Sequence, residues 1–342
     1  MKPDFSLIRQ LTHGAVRLKE NAGEIRFSRF TEEQEAIYNS GAASVRMVSA
    51  AGVRLDFLTD AKSFTLSGRA EAGSSRNFYW FDIAVNGILV RHEGSESRAD
   101  EPDFSYEIGL DGGMNRVTVY FPGLSEVVLK GLDFSGETVV RPVSRKCVMI
   151  CYGDSITQGY DARYASLAYP NQLADALDAE MFNKAIGGEI FNPALASLPD
   201  PVHPDFITVA YGTNDWSKCS SDVFQNNLDG FFYNLTKTYP DVPIFALLPL
   251  WRIGCETRET QVGTFAGLRS RMVKTCSEYR QVRVLDGLKL VPHLKSCFSP
   301  DVLHPNDFGF QFMAKNILNA VIHDKNGYFL RPRPAAAENA RS

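Results

Sequence analysis

The sequence lacks any apolar run approaching the ~18 residues that a membrane-spanning helix needs. It also lacks a basic surplus: 36 Lys and Arg stand against 40 Asp and Glu, for a net charge of -4. With no basic face and no polybasic tract, there is no electrostatic case for nucleic acid or for a membrane as partner. Cysteines are few, at 147, 151, 219, 255, 276 and 297, and no two have the C-x-x-C spacing. A chain of this length needs no disulfide staples, so they are expected to be reduced and structural. Histidines are also few (13, 92, 203, 293, 304 and 323), and none is grouped with cysteines. No metal and no cofactor are therefore expected. The start, Met1-Lys2-Pro3-Asp4-Phe5-Ser6, has no basic-then-apolar signal layout. The expectation is a cytoplasmic protein, or a secreted one if a signal has been trimmed away.

What is present divides into two patterns. A single core rarely grows past roughly 250–300 residues, so a chain of 342 residues suggests two domains. Residues 1–140 read as short strands and turns. Gly52-Val53-Arg54-Leu55-Asp56-Phe57-Leu58 alternates as a half-buried strand does, and so do Ser63-Phe64-Thr65-Leu66-Ser67 and Arg116-Val117-Thr118-Val119-Tyr120-Phe121. The segment 78–85 is rich in aromatic and branched residues and runs into Asn86-Gly87, a strong hairpin signal. This grammar predicts an all-β antiparallel sandwich, with a short helix near 32–38. The aromatic run Phe78-Tyr79-Trp80-Phe81 is read as sandwich core.

Residues 146–325 alternate between apolar runs and helix-length segments. The runs lie at 147–151, 181–186, 206–211, 244–248 and 282–285; the helical segments lie near 166–178, 222–238, 258–279 and 307–322. That pattern predicts an α/β domain with a parallel sheet covered on both faces. The stretch 136–145 is the expected linker. A tail, 326–342, is expected to be disordered on composition.

In open parallel sheets, ligands bind beyond the carboxyl ends of the strands. The residues after each apolar run are therefore the ones to weigh. The first run leads into Gly153-Asp154-Ser155, the second into Gly187-Gly188-Glu189, and the third into Gly212-Thr213-Asn214-Asp215-Trp216. After the fifth comes Asp301-Val302-Leu303-His304, just before a helix expected to start near Asn306 or Asp307 with a stripe of Phe308, Phe312, Ile317 and Ala320. Each segment alone is an ordinary turn or helix cap. Together they offer a hydroxyl, an imidazole with an acid three residues away, a glycine N–H and a side-chain amide at one edge of the sheet. Those are the parts of acyl transfer by an activated serine.

The set closely resembles the SGNH, or GDSL-type, hydrolase superfamily over roughly 146–325. The resemblance implies a flavodoxin-like three-layer α/β/α fold. It implies Ser155 as nucleophile, Asp301 and His304 as the D-x-x-H pair, and Gly188 and Asn214 as oxyanion donors. Gly187 precedes Gly188, so either glycine could supply the N–H. The first half resembles, in architecture, the jelly-roll-like sandwich of some bacterial carbohydrate esterases of this superfamily. The implied activity is hydrolysis of short acyl esters, acetyl above all, on a small molecule or carbohydrate. Trp216, Trp251 and Glu189 follow strand ends and are candidate substrate contacts. Asp154, Glu189 and Asp215 are better read as capping and bracing groups than as a metal site. Alternative readings are a lipase or thioesterase for longer acyl chains and a non-enzymatic glycan-binding protein. Oligomeric state is not legible.

Overall fold

The alternating segments of the first half pair into two antiparallel sheets. The structure, a computed structural model, describes residues 1–324, so the 326–342 tail lies outside the described residues. One sheet orders the strands Thr12–His13, Arg54–Thr59, Asn115–Tyr120, Tyr79–Val85 and Ile88–Ser95. The other orders Arg17–Asn21, Glu24–Ser28, Ser125–Phe134, Ser63–Ala72 and Asp103–Gly109. Leu55, Phe57, Phe81, Ile83, Val117 and Val119 from the first sheet meet Phe64, Leu66, Leu129 and Leu132 from the second. The Asn86-Gly87 turn has φ of 52° and 81°, as a two-residue hairpin of the right twist requires. Val85 pairs with Ile88 across it.

Three features depart from the sequence reading. Residues 136–145 are more than a linker, because Val140–Pro142 adds a strand beside Arg54–Thr59. The strand Arg54–Thr59 is buried on both faces. Its alternation is real, but the polar side is covered too: Arg54 donates to Asp175 (2.7 Å) and to the Ala179 carbonyl (3.0 Å), both in the α/β half. Asp56 on the same face pairs with Arg116 and Arg145. Alternation separates polar from apolar, and a paired polar face can be buried as well. Besides the expected helix, seen at Glu32–Ile37, two short helices occur at Phe5–Leu11 and Gly41–Met47.

The second half forms a five-stranded, wholly parallel sheet. Its spatial order is Ala179–Asn183, Cys147–Gly153, Phe206–Ala210, Ile244–Leu247, Val282–Leu285, or 2-1-3-4-5 in chain order. This is the flavodoxin-like order. Helices Tyr169–Leu177 and Asp307–Ile322 cover one face with Leu173, Phe310, Met313 and Ile317. Helices Ser221–Thr238 and Phe265–Cys276 cover the other with Phe224, Phe231, Leu268 and Met272. The expected helix over 258–279 is shorter. A small hairpin, Glu259–Thr260 with Gly263–Thr264, precedes it. In the last helix the buried stripe is Phe310, Met313, Ala314, Ile317 and Val321. Phe308 is exposed instead, because it sits two residues out of phase with that stripe. All six cysteines are free thiols. Among the described residues no helix is long and apolar enough to cross a membrane.

The strand order reverses between Cys147–Gly153 and Phe206–Ala210, which creates a crevice at their carboxyl ends. The sandwich is fastened beside it. Arg29 is fully buried and donates to the carbonyls of Asn183 (2.5 Å), Ala185 (3.0 Å) and Ser49 (2.7 Å). Burial pulls its guanidinium down to about 9, because these partners are neutral carbonyls rather than carboxylates.

Candidate active site

Asp154 caps the short helix Ser155–Gln158, accepting the Ile156 N–H at 3.0 Å. Ser155 is therefore the first helical residue, where a backbone N–H has no partner inside the helix and favours negative charge. Its Oγ lies 2.8 Å from Nε2 of His304. Nδ1 of His304 lies 2.6 Å from Oδ2 of Asp301. The segment 301–304 folds back because Oδ1 of Asp301 accepts the N–H groups of Leu303 (2.9 Å) and His304 (3.1 Å). Val302 inside this turn has φ of 50°, an uncommon conformation for a branched residue. Partial burial disfavours the Asp301 carboxylate, but those two N–H groups and the imidazole outweigh it and hold its carboxyl below the ordinary range. Ser155, His304 and Asp301 thus form one chain of hydrogen bonds, with the imidazole able to take the hydroxyl proton.

Two candidate donors stand at the ends of the neighbouring strands. The Gly187 N–H is taken by Oε1 of Gln158 at 2.6 Å. Among the described residues, no protein acceptor meets the Gly188 N–H, which distinguishes the two glycines. Gly188 has φ of +82°, and a Cβ there would come within 2.9 Å of Nη1 of Arg46. Asn214, in the helix Thr213–Lys218, directs Nδ2 at Oδ2 of Asp154 (3.2 Å). One hydrogen of that amide is so engaged, and the other is free for a second acceptor.

Carboxylates surround these donors. Burial pushes Asp154 up to about 7, against the Ile156 N–H, and nearby Asp215 adds to the rise. Burial likewise raises Glu189 to about 7, even though Tyr38, Asn192 and Tyr211 all donate to it. Asp215, also buried, is raised to about 6 and accepts the N–H groups of Phe191 and Gly212. These are bracing contacts. Glu189, a candidate substrate contact in sequence, has its carboxylate committed to three internal donors.

Trp216 is also corrected. It is 0% exposed; its ring packs edge-on against Phe265, and its Nε1 donates to the Gly263 carbonyl at 2.9 Å. A tryptophan after a strand can turn inward as readily as outward, and the spacing carries no sign of which. Trp251 is half-buried, packs against Phe298 and stacks on His293.

Sequence reading missed a second set of groups around His304. The Tyr160 ring stacks on the imidazole, with centroids 5.5 Å apart. Oδ2 of Asp161 lies 3.6 Å from His304 Nδ1 and accepts from Ser299 Oγ at 2.9 Å. Arg76, from the sandwich, clamps Asp161 through two hydrogen bonds of 2.7 and 2.9 Å. Asp161, Asp301 and His304 form a cluster with metal-ligand spacing, but the imidazole atom involved is the one already bonded to Asp301. No local signal links Arg76 to an aspartate 85 residues later.

The segment that holds Ser155, Gly188, Asn214, Asp301 and His304 matches a known sequence family. Residues 151–312 match the family model described as GDSL-like lipase/acylhydrolase. The α/β half belongs to that family. It is a GDSL-type domain of the SGNH superfamily, and the protein is a carboxylic ester hydrolase. No curated protein matches the chain in sequence. Solved structures share the whole fold. The salicylyl-acyltransferase SsfX3 from a tetracycline biosynthetic pathway is 23% identical, with a TM-score of 0.79 over 90% of this chain and 92% of that one. A family two carbohydrate esterase from Clostridium thermocellum is 18% identical, with a TM-score of 0.64 over 81% and 94%. The acetyl xylan esterase Est2A of Butyrivibrio proteoclasticus is 16% identical, with a TM-score of 0.60 over 82% and 91%. Both halves of the chain thus have counterparts in the same solved chains.

Proposed function

We propose that this hydrolase cleaves short-chain acyl esters, acetyl esters on carbohydrates among them, through an acyl-enzyme on Ser155. The observation that carries this is the unbroken hydrogen-bond chain from Ser155 Oγ through His304 to Asp301. In this reading His304 removes the hydroxyl proton as Oγ attacks the ester carbonyl. Asp301 holds the imidazole in one orientation and offsets the charge of the imidazolium. The tetrahedral oxyanion is received by the N–H groups of Ser155 and Gly188 and the free amide hydrogen of Asn214. His304 then returns the proton to the leaving alcohol, and water, deprotonated by the same imidazole, releases the acid. Asp154 and Gln158 act indirectly: one aims the Asn214 amide, and the other occupies the Gly187 N–H. The carbohydrate assignment draws on the likeness to esterases whose names specify sugars.

Ser155→Ala should abolish release of acetate from acetylated sugars and from simple acetyl esters, with the far-ultraviolet circular dichroism unchanged. Retained hydrolysis by a folded variant would overturn the reading. The likeness to an acyltransferase favours one further possibility. An alcohol could accept the acyl group in place of water. Product analysis with an added alcohol would then show a new ester at the expense of the free acid.

A further inference from the structure

Around the two oxyanion-side donors stand four cationic side chains, none of which has a carboxylate within ion-pair reach among the described residues. Arg46, from the sandwich-side helix Gly41–Met47, donates to the Gly187 carbonyl at 2.5 Å. Lys218 donates to the Gly188 carbonyl at 2.6 Å. On the other side of the helix Thr213–Lys218, Arg252 donates to Thr213 and Ser217 (3.1–3.3 Å). Arg252 and Arg258 both lie over the Trp216 ring, 5.6 and 5.4 Å from its centre. The hydrogen-bond partners named are neutral, and the carboxylates that Lys218 and Arg252 sense, Asp154 and Asp215 for the one and Asp154 and Asp301 for the other, form no ion pair with them. Burial and the nearby Arg258 together pull the Arg252 guanidinium below its ordinary range, and Arg252 senses both Asp154 and Asp301. The group thus borders the serine on the side of Asn214 and Gly188.

Elsewhere Arg17, Arg26, Arg54, Arg76, Arg116 and Arg163 meet carboxylates, while Arg29 and Arg271, like this group, have neutral partners but stand apart from one another. The chain carries more acid than base, so partners are not scarce. Like charges held together without counterions cost free energy unless an anion arrives. Arg46, Lys218 and Gly188 also line an open groove of about 450 Å³ whose other walls include Tyr38, Ile190 and Val223. An occupant with an apolar body and one anionic group fits that lining.

We propose that the ester taken by this site carries an anionic group, such as a carboxylate, on its acyl or its alcohol part. The cations bind that group while Ser155 faces the ester carbonyl. This rests on the reading of Ser155 as nucleophile.

The test compares initial rates on three esters at low ionic strength: phenyl acetate, the acetate ester of 4-hydroxybenzoate, and phenyl hemisuccinate. The first is neutral, the second carries its carboxylate on the alcohol part, and the third on the acyl part. At least one acidic ester should show kcat/KM about tenfold or more above the neutral one, the scale of a charge-assisted contact. That advantage should shrink as salt is raised. The double variants Arg46→Met with Lys218→Met, and Arg252→Met with Arg258→Met, should lower the acidic-to-neutral ratio, and the pair that lowers it more locates the anion. Equal kcat/KM on all three esters would overturn the inference while leaving the esterase reading intact. Equal loss on neutral and acidic esters in both variants would assign the cations to the oxyanion and overturn it too. If no ester is cleaved, the reading of Ser155 fails separately. Calorimetry on Ser155→Ala with 4-hydroxybenzoate against phenol, and with succinate against acetamide, then decides: tighter binding of an acid supports the inference, and no difference overturns it. A variant that fails to fold leaves the salt dependence of the unaltered enzyme to decide.

Discussion

At the residue scale, the proposed oxyanion role of Asn214 rests on how Asp154 holds its amide. Asp154 holds one hydrogen of the Asn214 amide, so the other is aimed before substrate arrives. Preorganised donors of this kind act on the transition state more than on the bound ester. Asn214→Ala should lower kcat by ~10²–10³ and change KM little. Steady-state kinetics on an acetyl ester checks this, and a change in KM alone would remove Asn214 from the oxyanion site. The serine, the histidine and its aspartate were legible in sequence because they sit in short motifs at strand ends. Asp161 and Arg76 were not, since their pairing joins two halves of the chain.

At the element scale, the turn after Ala179–Asn183 carries the most constraint. Gly188 adopts a positive φ, and a side chain there would press on Arg46 and Lys218. Gly188→Ala should cost about 1–2 kcal/mol of stability from the backbone alone, and the displaced N–H should reduce turnover as well. Thermal unfolding with kinetics on the same preparation checks both effects. Glycine at this position was legible as a loop signal. The choice of Gly188 over Gly187 was not, because it depends on Gln158 occupying the first N–H. The parallel strands were legible for a plain reason: strands buried on both faces read as unbroken apolar runs. The stripe of the last helix was misjudged by its phase. Aromatic residues at 308 and 312 suggested one face; Ile317 does lie against the sheet, but with Phe310 and Met313 rather than Phe308.

At the scale of the whole molecule, the sandwich is part of how the site is held. Arg29→Met would leave the Asn183, Ala185 and Ser49 carbonyls without their buried donor. At about 1–3 kcal/mol for each unsatisfied group, the loss should be at least about 3 kcal/mol, seen as a lower Tm or denaturation midpoint. Activity should fall with it, because Ala185 leads directly into Gly187 and Gly188. Proton linkage acts at the same scale. Glu189 and Asp154 are raised to about 7 and Asp215 to about 6 in the folded state, against ~4.3 and ~3.9 when unfolded. The folded state therefore binds more protons than the unfolded one between pH ~4 and ~7, and stability falls as pH rises through that window. Asp56, Glu180 and Asp301 are shifted the other way, so their contribution is lost as pH falls below ~4. Tm measured against pH should peak near ~4, where the two windows meet, rather than at neutrality. Glu189→Gln should flatten the fall above it, and an unchanged slope would show that Glu189 is ionised at little cost.

The amino-acid sequence alone determined the fold class and picked out the segments that bring Ser155, His304 and Asp301 together. Periodicity reports which faces are apolar, and the residues at strand ends arrive together once the sheet is parallel. Tertiary structure decided what lies between distant segments: which glycine N–H is free, that Trp216 is core and Glu189 is braced, and that Arg76 and Arg46 reach the site from the sandwich. Such contacts depend on where two separately patterned units meet, and a local pattern carries no record of its distant partner.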